Sequence, residues 1–226
     1  MNPNSFSSNL VPASGKMSGR RRFFRAFTKG ILSIAGVSAT VAKAKGRGTS
    51  YDWLDDIKGS HRILYDVTTG QDEFVVALPF NFMLTNNQTG TADDDLTVVV
   101  VLRHKAMALA LNDKAWGKYK LGKFFKISDV GTAIPATKNP YWNPTADELP
   151  QGMSFQALKQ RGVIVCVCEL ALTKNSKMLS ASMGMDHTEV RNDWMNSLLP
   201  GAHLVPSGVW AIERAQQKAC AYCFVG

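Results

Sequence analysis

The chain has 226 residues, 45% of them hydrophobic and 19% charged, which is ordinary globular composition. Its formal charge of +8 points first to an acidic partner, but seven basic residues and no acid fall in residues 1–44, leaving 19 basic against 18 acidic side chains in the remainder. The basic excess therefore belongs to a leader and not to a folded surface, so nucleic-acid binding is not expected.

Gly19-Arg20-Arg21-Arg22-Phe23-Phe24-Arg25 fits the twin-arginine export pattern, in which Arg20 and Arg21 are followed by any residue and then by the apolar pair Phe23 and Phe24. A weakly apolar stretch, residues 26–42, comes next. It is too short and too rich in small residues for a good membrane span. Ala42-Lys43-Ala44 then offers a small-x-small cleavage site. Residues 1–44 are read as a signal peptide with an N-terminal extension, and Met17 is a second candidate start. The expected consequences are passage through the twin-arginine machinery, a periplasmic or otherwise exported location and no stable membrane span after processing. The competing readings are a basic disordered tail and a basic tail that binds anionic lipid.

Residues 45–60 read as a linker with one helical turn, in which Trp53, Leu54 and Ile57 share a face. From residue 61 to 226, strand-like and helix-like segments alternate. Residues 62–67 predict a strand and residues 73–87 a helix containing Pro79. Residues 96–102, with four consecutive valines, predict a strand buried on both faces. Residues 112–126 predict a helix capped by Asn112 or Asp113. A long Gly-, Pro-, Asn- and Thr-rich stretch follows at 127–153, of a length that marks either a functional loop or a packed insertion. Short helix 154–161 leads to a buried strand at 163–168. Helices at 173–183 and 189–199, a short strand at 203–205, a helix at 208–218 begun by Ser207 and a last strand at 219–225 complete the pattern. Five strands separated by helices predict a three-layer α/β sandwich with a mainly parallel five-stranded sheet.

Open parallel sheets hold ligands at the carboxyl ends of their strands. Those ends carry Asp66 to Gly70, Arg103 and His104, Cys168 and Glu169, and Pro206 to Gly208. Cys168 stands where a strand ends and a helix begins, and a helix N-terminus favours thiolate over thiol. His104 is a candidate to polarise it. A buried, inert core cysteine is the alternative for Cys168, and Cys166 is read as core. Ser207 and Gly208 open a helix and form a candidate anion or ligand site, although capping alone accounts for the serine. Cys220 and Cys223 lie three apart in a predicted strand and so point to opposite faces, which argues against a redox pair. Four cysteines and four scattered histidines match neither a zinc pattern nor a disulfide framework. No nucleotide-binding glycine pattern is present, and no cofactor or metal is expected.

Three stretches carry a resemblance: residues 56–66, residues 160–172 around Cys166 and Cys168, and residues 199–208. Together they resemble the DsrE/DsrF-like proteins, in particular an exported branch with twin-arginine leaders, and the likeness covers most of residues 51–226. The resemblance implies a small α/β fold, assembly into trimers or larger rings, and sulfur carried as a persulfide on a cysteine that matches Cys168. Two functions are thereby expected to compete: a periplasmic sulfur-handling protein, and a non-catalytic oligomeric module that binds a small ligand or partner.

Overall fold

The computed structural model describes residues 51–226. The twin-arginine motif, the apolar stretch and the cleavage site lie outside the described residues. Five strands, β1 (His61–Val67), β2 (Leu96–Leu102), β3 (Ile164–Cys168), β4 (Ala202–Val205) and β5 (Ala221–Val225), form one sheet in the order β4-β3-β2-β1-β5. Every pairing is parallel, with Leu64 opposite Val99 and Tyr222, and Val101 opposite Cys166. Parallel strands need long crossovers, and the helices supply them. They are α1 (Phe74–Gln88), α2 (Asp113–Tyr119), α3 (Leu121–Phe125), α4 (Phe155–Gln160), α5 (Glu169–Met183), α6 (His187–Asn196) and α7 (Gly208–Gln217).

Strand order decides which helix covers which face. The chain steps from β1 to β2, β3 and β4 in one direction, and right-handed crossovers then put α1 to α6 on the same side. The step from β4 to β5 runs the other way and puts α7 opposite. The core divides accordingly. Tyr65, Val67, Val98, Val100 and Leu102 pack with Val75, Met83, Trp116, Leu172 and Trp194. Leu64, Val99, Val101, Ile164 and Cys166 pack with Ala211 and Ala215 of α7 and with Trp53 and Ile57. The three-layer α/β sandwich is thus present, and its sheet is wholly parallel. All seven residues of β2, the central strand, are buried, as its valine run requires.

Local differences from the sequence pattern have local causes. Residues 51–57 are not a free linker, because Trp53 is fully buried and Ile57 nearly so, closing the thinner side of the sandwich. The helix expected at 112–126 breaks into α2 and α3 at Lys120, which adopts φ 48°. Leu121 and Phe125 thereby turn into the core. Residues 104–110 form a 3-10 segment whose Ala106 to Ala110 are completely buried. The stretch at 127–153 is a packed insertion. Buried Asn139 donates Nδ2 to the carbonyls of Leu109 at 2.7 Å and Leu111 at 2.9 Å, and its Oδ1 accepts from the Tyr141 amide. Among the described residues no helix is long and apolar enough to cross a membrane.

Candidate active site at the carboxyl edge of the sheet

The carboxyl ends of β1, β2 and β3 lie side by side because the three strands are adjacent and parallel. Asp66, Arg103 and Cys168 are therefore neighbours in the fold although far apart in sequence. Asp66 is 1% exposed. Burying a carboxylate is costly unless it is paired and hydrogen-bonded, and Asp66 is both. Arg103 donates from Nε to Oδ1 at 2.5 Å and from Nη2 to Oδ2 at 2.8 Å, and the Tyr222 hydroxyl of β5 donates to Oδ2 at 2.7 Å. Burial alone raises the affinity of Asp66 for its proton. The hydrogen bonds from Arg103 and Tyr222, with the charges of Arg103 and His104, outweigh that and hold the carboxyl below its ordinary range. The same hydrogen bond raises the Tyr222 phenol above its ordinary value.

His104 follows directly. Its backbone is left-handed, with φ 49°, a conformation that is uncommon outside glycine. The Asn175 side chain of α5 holds it there by donating to the His104 carbonyl at 2.9 Å. The exposed ring turns to Arg103, whose Nη1 meets its Nε2. His104 therefore engages Arg103 and α5, and reaches Cys168 through those neighbours and not by a direct hydrogen bond.

Cys168 is the N-cap of α5 and 6% exposed, and its Sγ accepts from the Ala171 amide at 3.3 Å. The thiol sits at the positive end of a fifteen-residue helix. Arg103 interacts electrostatically with it. The acidic neighbour Glu169 is drawn away by Arg191 of α6, whose Nη2 donates to Oε1 at 2.6 Å. Cys166 packs in the second core instead, and complete burial pushes its thiol far up. Ser207 caps α7, its Oγ accepting from the Trp210 amide at 3.2 Å. Gly208 matters for a different reason. A Cβ there would come within 2.9 Å of the Arg103 Cβ and 3.0 Å of its Cδ, so the side chain of Arg103 lies flat against the start of α7.

The pair Cys220 and Cys223 is divided between layers. Cys220 is buried in the second core, and burial raises its thiol, while Cys223 packs against the first. All four cysteines are free. Among the described residues no group of three or more His, Cys, Asp or Glu side chains is arranged to hold a metal ion. Two cavities lie away from this edge. One of about 610 Å3, lined by Lys58, Thr97, Gly162 and His203, opens where β2, β3 and β4 begin, and one of about 420 Å3, lined by Asn143, Gln151 and Gln156, lies beside α4. Neither contains a cysteine. Nucleophile, cation and buried acid converge at the carboxyl edge, so that edge is the candidate site.

Sequence reasoning named Cys168, His104, Ser207 and Gly208 but passed over the roles of Asp66, Arg103 and Tyr222. An Asp at the end of one predicted strand and an Arg at the end of the next was a usable signal. Tyr222 was not recoverable, because its place depends on the last strand returning to the side of the first.

No protein-family model matches the chain, and no curated protein matches it. Among solved structures the fold is similar to that of MTH1491, a protein of unknown function from Methanobacterium thermoautotrophicum. That similarity covers 74% of this chain and 100% of the other, at 17% identity and a TM-score of 0.39, too loose a likeness to carry an argument about function.

Proposed function

We propose that this is an exported DsrE/DsrF-like protein that handles sulfur through a persulfide on Cys168. The observation that carries the reading is the placement of the Cys168 thiol at the N-terminus of α5, on the strand edge that also holds Arg103, with its neighbour Glu169 engaged by Arg191. In the transfer, the Cys168 thiolate attacks the outer sulfur of a donor persulfide, R–S–SH. A new S–S bond forms on Cys168, the donor S–S bond breaks, and the donor leaves as the thiolate RS⁻. The outer sulfur keeps its proton, and no net oxidation occurs. Arg103 stabilises the negative sulfur, and His104 polarises the same region through Arg103. Residues 1–44 deliver the protein to the periplasm by the twin-arginine machinery, and it works there as a trimer or larger ring.

The test is the intact mass of the protein after exposure to a persulfide donor, read with and without reductant. A reductant-sensitive gain of one sulfur on the wild type and on C166A, absent from C168A, is the expected result. A C168A variant that still gains sulfur would overturn the reading.

A second reading rests on the 6% exposure of Cys168. A thiol so covered and engaged as a helix cap also suits a non-catalytic module that binds a small ligand at the same edge. In that case Cys168 resists alkylation until the protein unfolds, and C168A leaves ligand binding intact.

A further inference from the structure

A feature of the carboxyl edge goes beyond sulfur handling and does not require Cys168 to react. It concerns the hydrogen-bond donors that Arg103 has left over and the two aromatic rings beside them.

A guanidinium carries five N–H donors, one on Nε and two on each terminal nitrogen. In Arg103, Nε and one N–H of Nη2 go to Asp66, and one N–H of Nη1 faces His104. That network leaves one N–H on each terminal nitrogen. Asp66 is anchored in turn by Tyr222, and Gly208 lets the Arg103 stem lie against α7. The fork is thus fixed in place before anything binds to it, which limits the ordering that binding requires.

The Arg103 side chain is 20% exposed, and apolar groups near it are open to solvent. Helix α7 packs mainly over β1, β2, β3 and β4, and the matching face of β5 carries two exposed rings. Tyr222 and Phe224 on that face are 48% and 54% exposed. Phe224 lies in register with Asp66, so the two side chains leave the sheet on the same side of adjacent strands. Val209, 64% exposed, stands at the start of α7 next to the glycine that touches Arg103. A two-pronged donor beside two exposed rings matches one kind of ligand chemistry. An anionic head with two parallel oxygens suits the fork, and a flat apolar body suits the rings.

The geometry points to a binding site for a small aromatic organic anion, a carboxylate, phosphate or sulfonate, on the ledge formed by Arg103, Tyr222, Phe224 and Val209. Arg103 takes the head and Phe224 and Tyr222 take the body. Asp66 is a positioning residue that acts through Arg103.

The test is calorimetric titration of the full chain with phenyl phosphate, benzoate and benzenesulfonate, set against inorganic phosphate and benzyl alcohol as half-ligands. At least one aryl anion is expected to saturate with a Kd below about 1 mM, and each half-ligand to bind at least about tenfold more weakly. The three heads rank the preferred anion. R103K, which keeps the charge but loses the fork, is expected to weaken binding about tenfold. F224S, at an exposed position of an edge strand, is expected to fold as the wild type does and to weaken binding about fivefold. Absence of saturable binding by all three aryl anions would overturn the assignment, as would wild-type affinity in F224S. The readout is binding alone, so a failure of sulfur transfer at Cys168 leaves it unaffected.

Discussion

Arg103 and Asp66 meet side-on across the ends of two adjacent strands, with two hydrogen bonds of 2.5 and 2.8 Å, and Asp66 has almost no contact with solvent. Removing one member of such a pair leaves the other buried and unpaired. Arg103→Ala is therefore expected to destabilise the fold by about 3 kcal/mol, and Arg103→Lys by clearly less. Urea midpoints of the two variants check this.

The depressed proton affinity of Asp66 has a pH signature. A carboxyl held below its unfolded value adds stability that is complete above that value, about pH 4, and is lost as pH falls through the folded value. Urea midpoints followed from pH 6 down to pH 2 are expected to drop in that window. Asp66→Asn is expected to start lower and to fall less steeply. An identical slope in wild type and Asp66→Asn would mean that other carboxylates carry the acid response.

Cys168 has a structural role and a proposed chemical one, and two substitutions separate them. Its Sγ caps α5 by accepting from Ala171. Serine keeps an acceptor at that position, whereas alanine removes it at a cost of about 1 kcal/mol. Cys168→Ser is expected to melt at or above the wild-type temperature, with Cys168→Ala lower. Both are expected to lose the persulfide mass gain. Thermal melts and intact masses of the two variants make the comparison.

Gly208 is expected to tolerate no side chain without moving Arg103. Gly208→Ala forces the guanidinium stem away from α7, with a stability loss of about 1–2 kcal/mol and weaker aryl-anion binding. Calorimetry and denaturation on the same variant check both effects.

Asn139 pins the 127–153 insertion to residues 109 and 111. Asn139→Ala leaves two buried carbonyls without those donors, a loss of about 2 kcal/mol. Limited proteolysis is expected to cut the variant within 127–153 under conditions where the wild type is intact.

The pattern of apolar runs was enough to read the sheet, because β2 and β3 are buried on both faces and such strands appear as unbroken Val, Ile and Cys stretches. Two caps were equally legible, since Asn112 and Ser207 each accept from the amide three residues on. What escaped was set by contacts distant in sequence. Residues 51–57 looked like a linker because the sheet face that buries Trp53 is supplied by β1, β2 and α7. Residues 106–110 show no helical apolar stripe, for all five are completely buried. In the site, Cys168 was visible from its place between strand and helix. The hydrogen bonds from Arg103 and Tyr222 to Asp66 join three strands and leave no local periodic trace.

The reversal of direction between β4 and β5 also bears on how the molecule is made. Among the described residues, the last strand, β5, pairs with the first, β1. Until α7 and β5 emerge, a growing chain shows one edge of β1 and the wet faces of Leu64, Val99 and Val101. An open strand edge of that kind invites pairing with other chains and engagement by chaperones. The second core is thus completed only once α7 is made, and β5 then moves the open edge of the sheet from β1 to a strand of five residues.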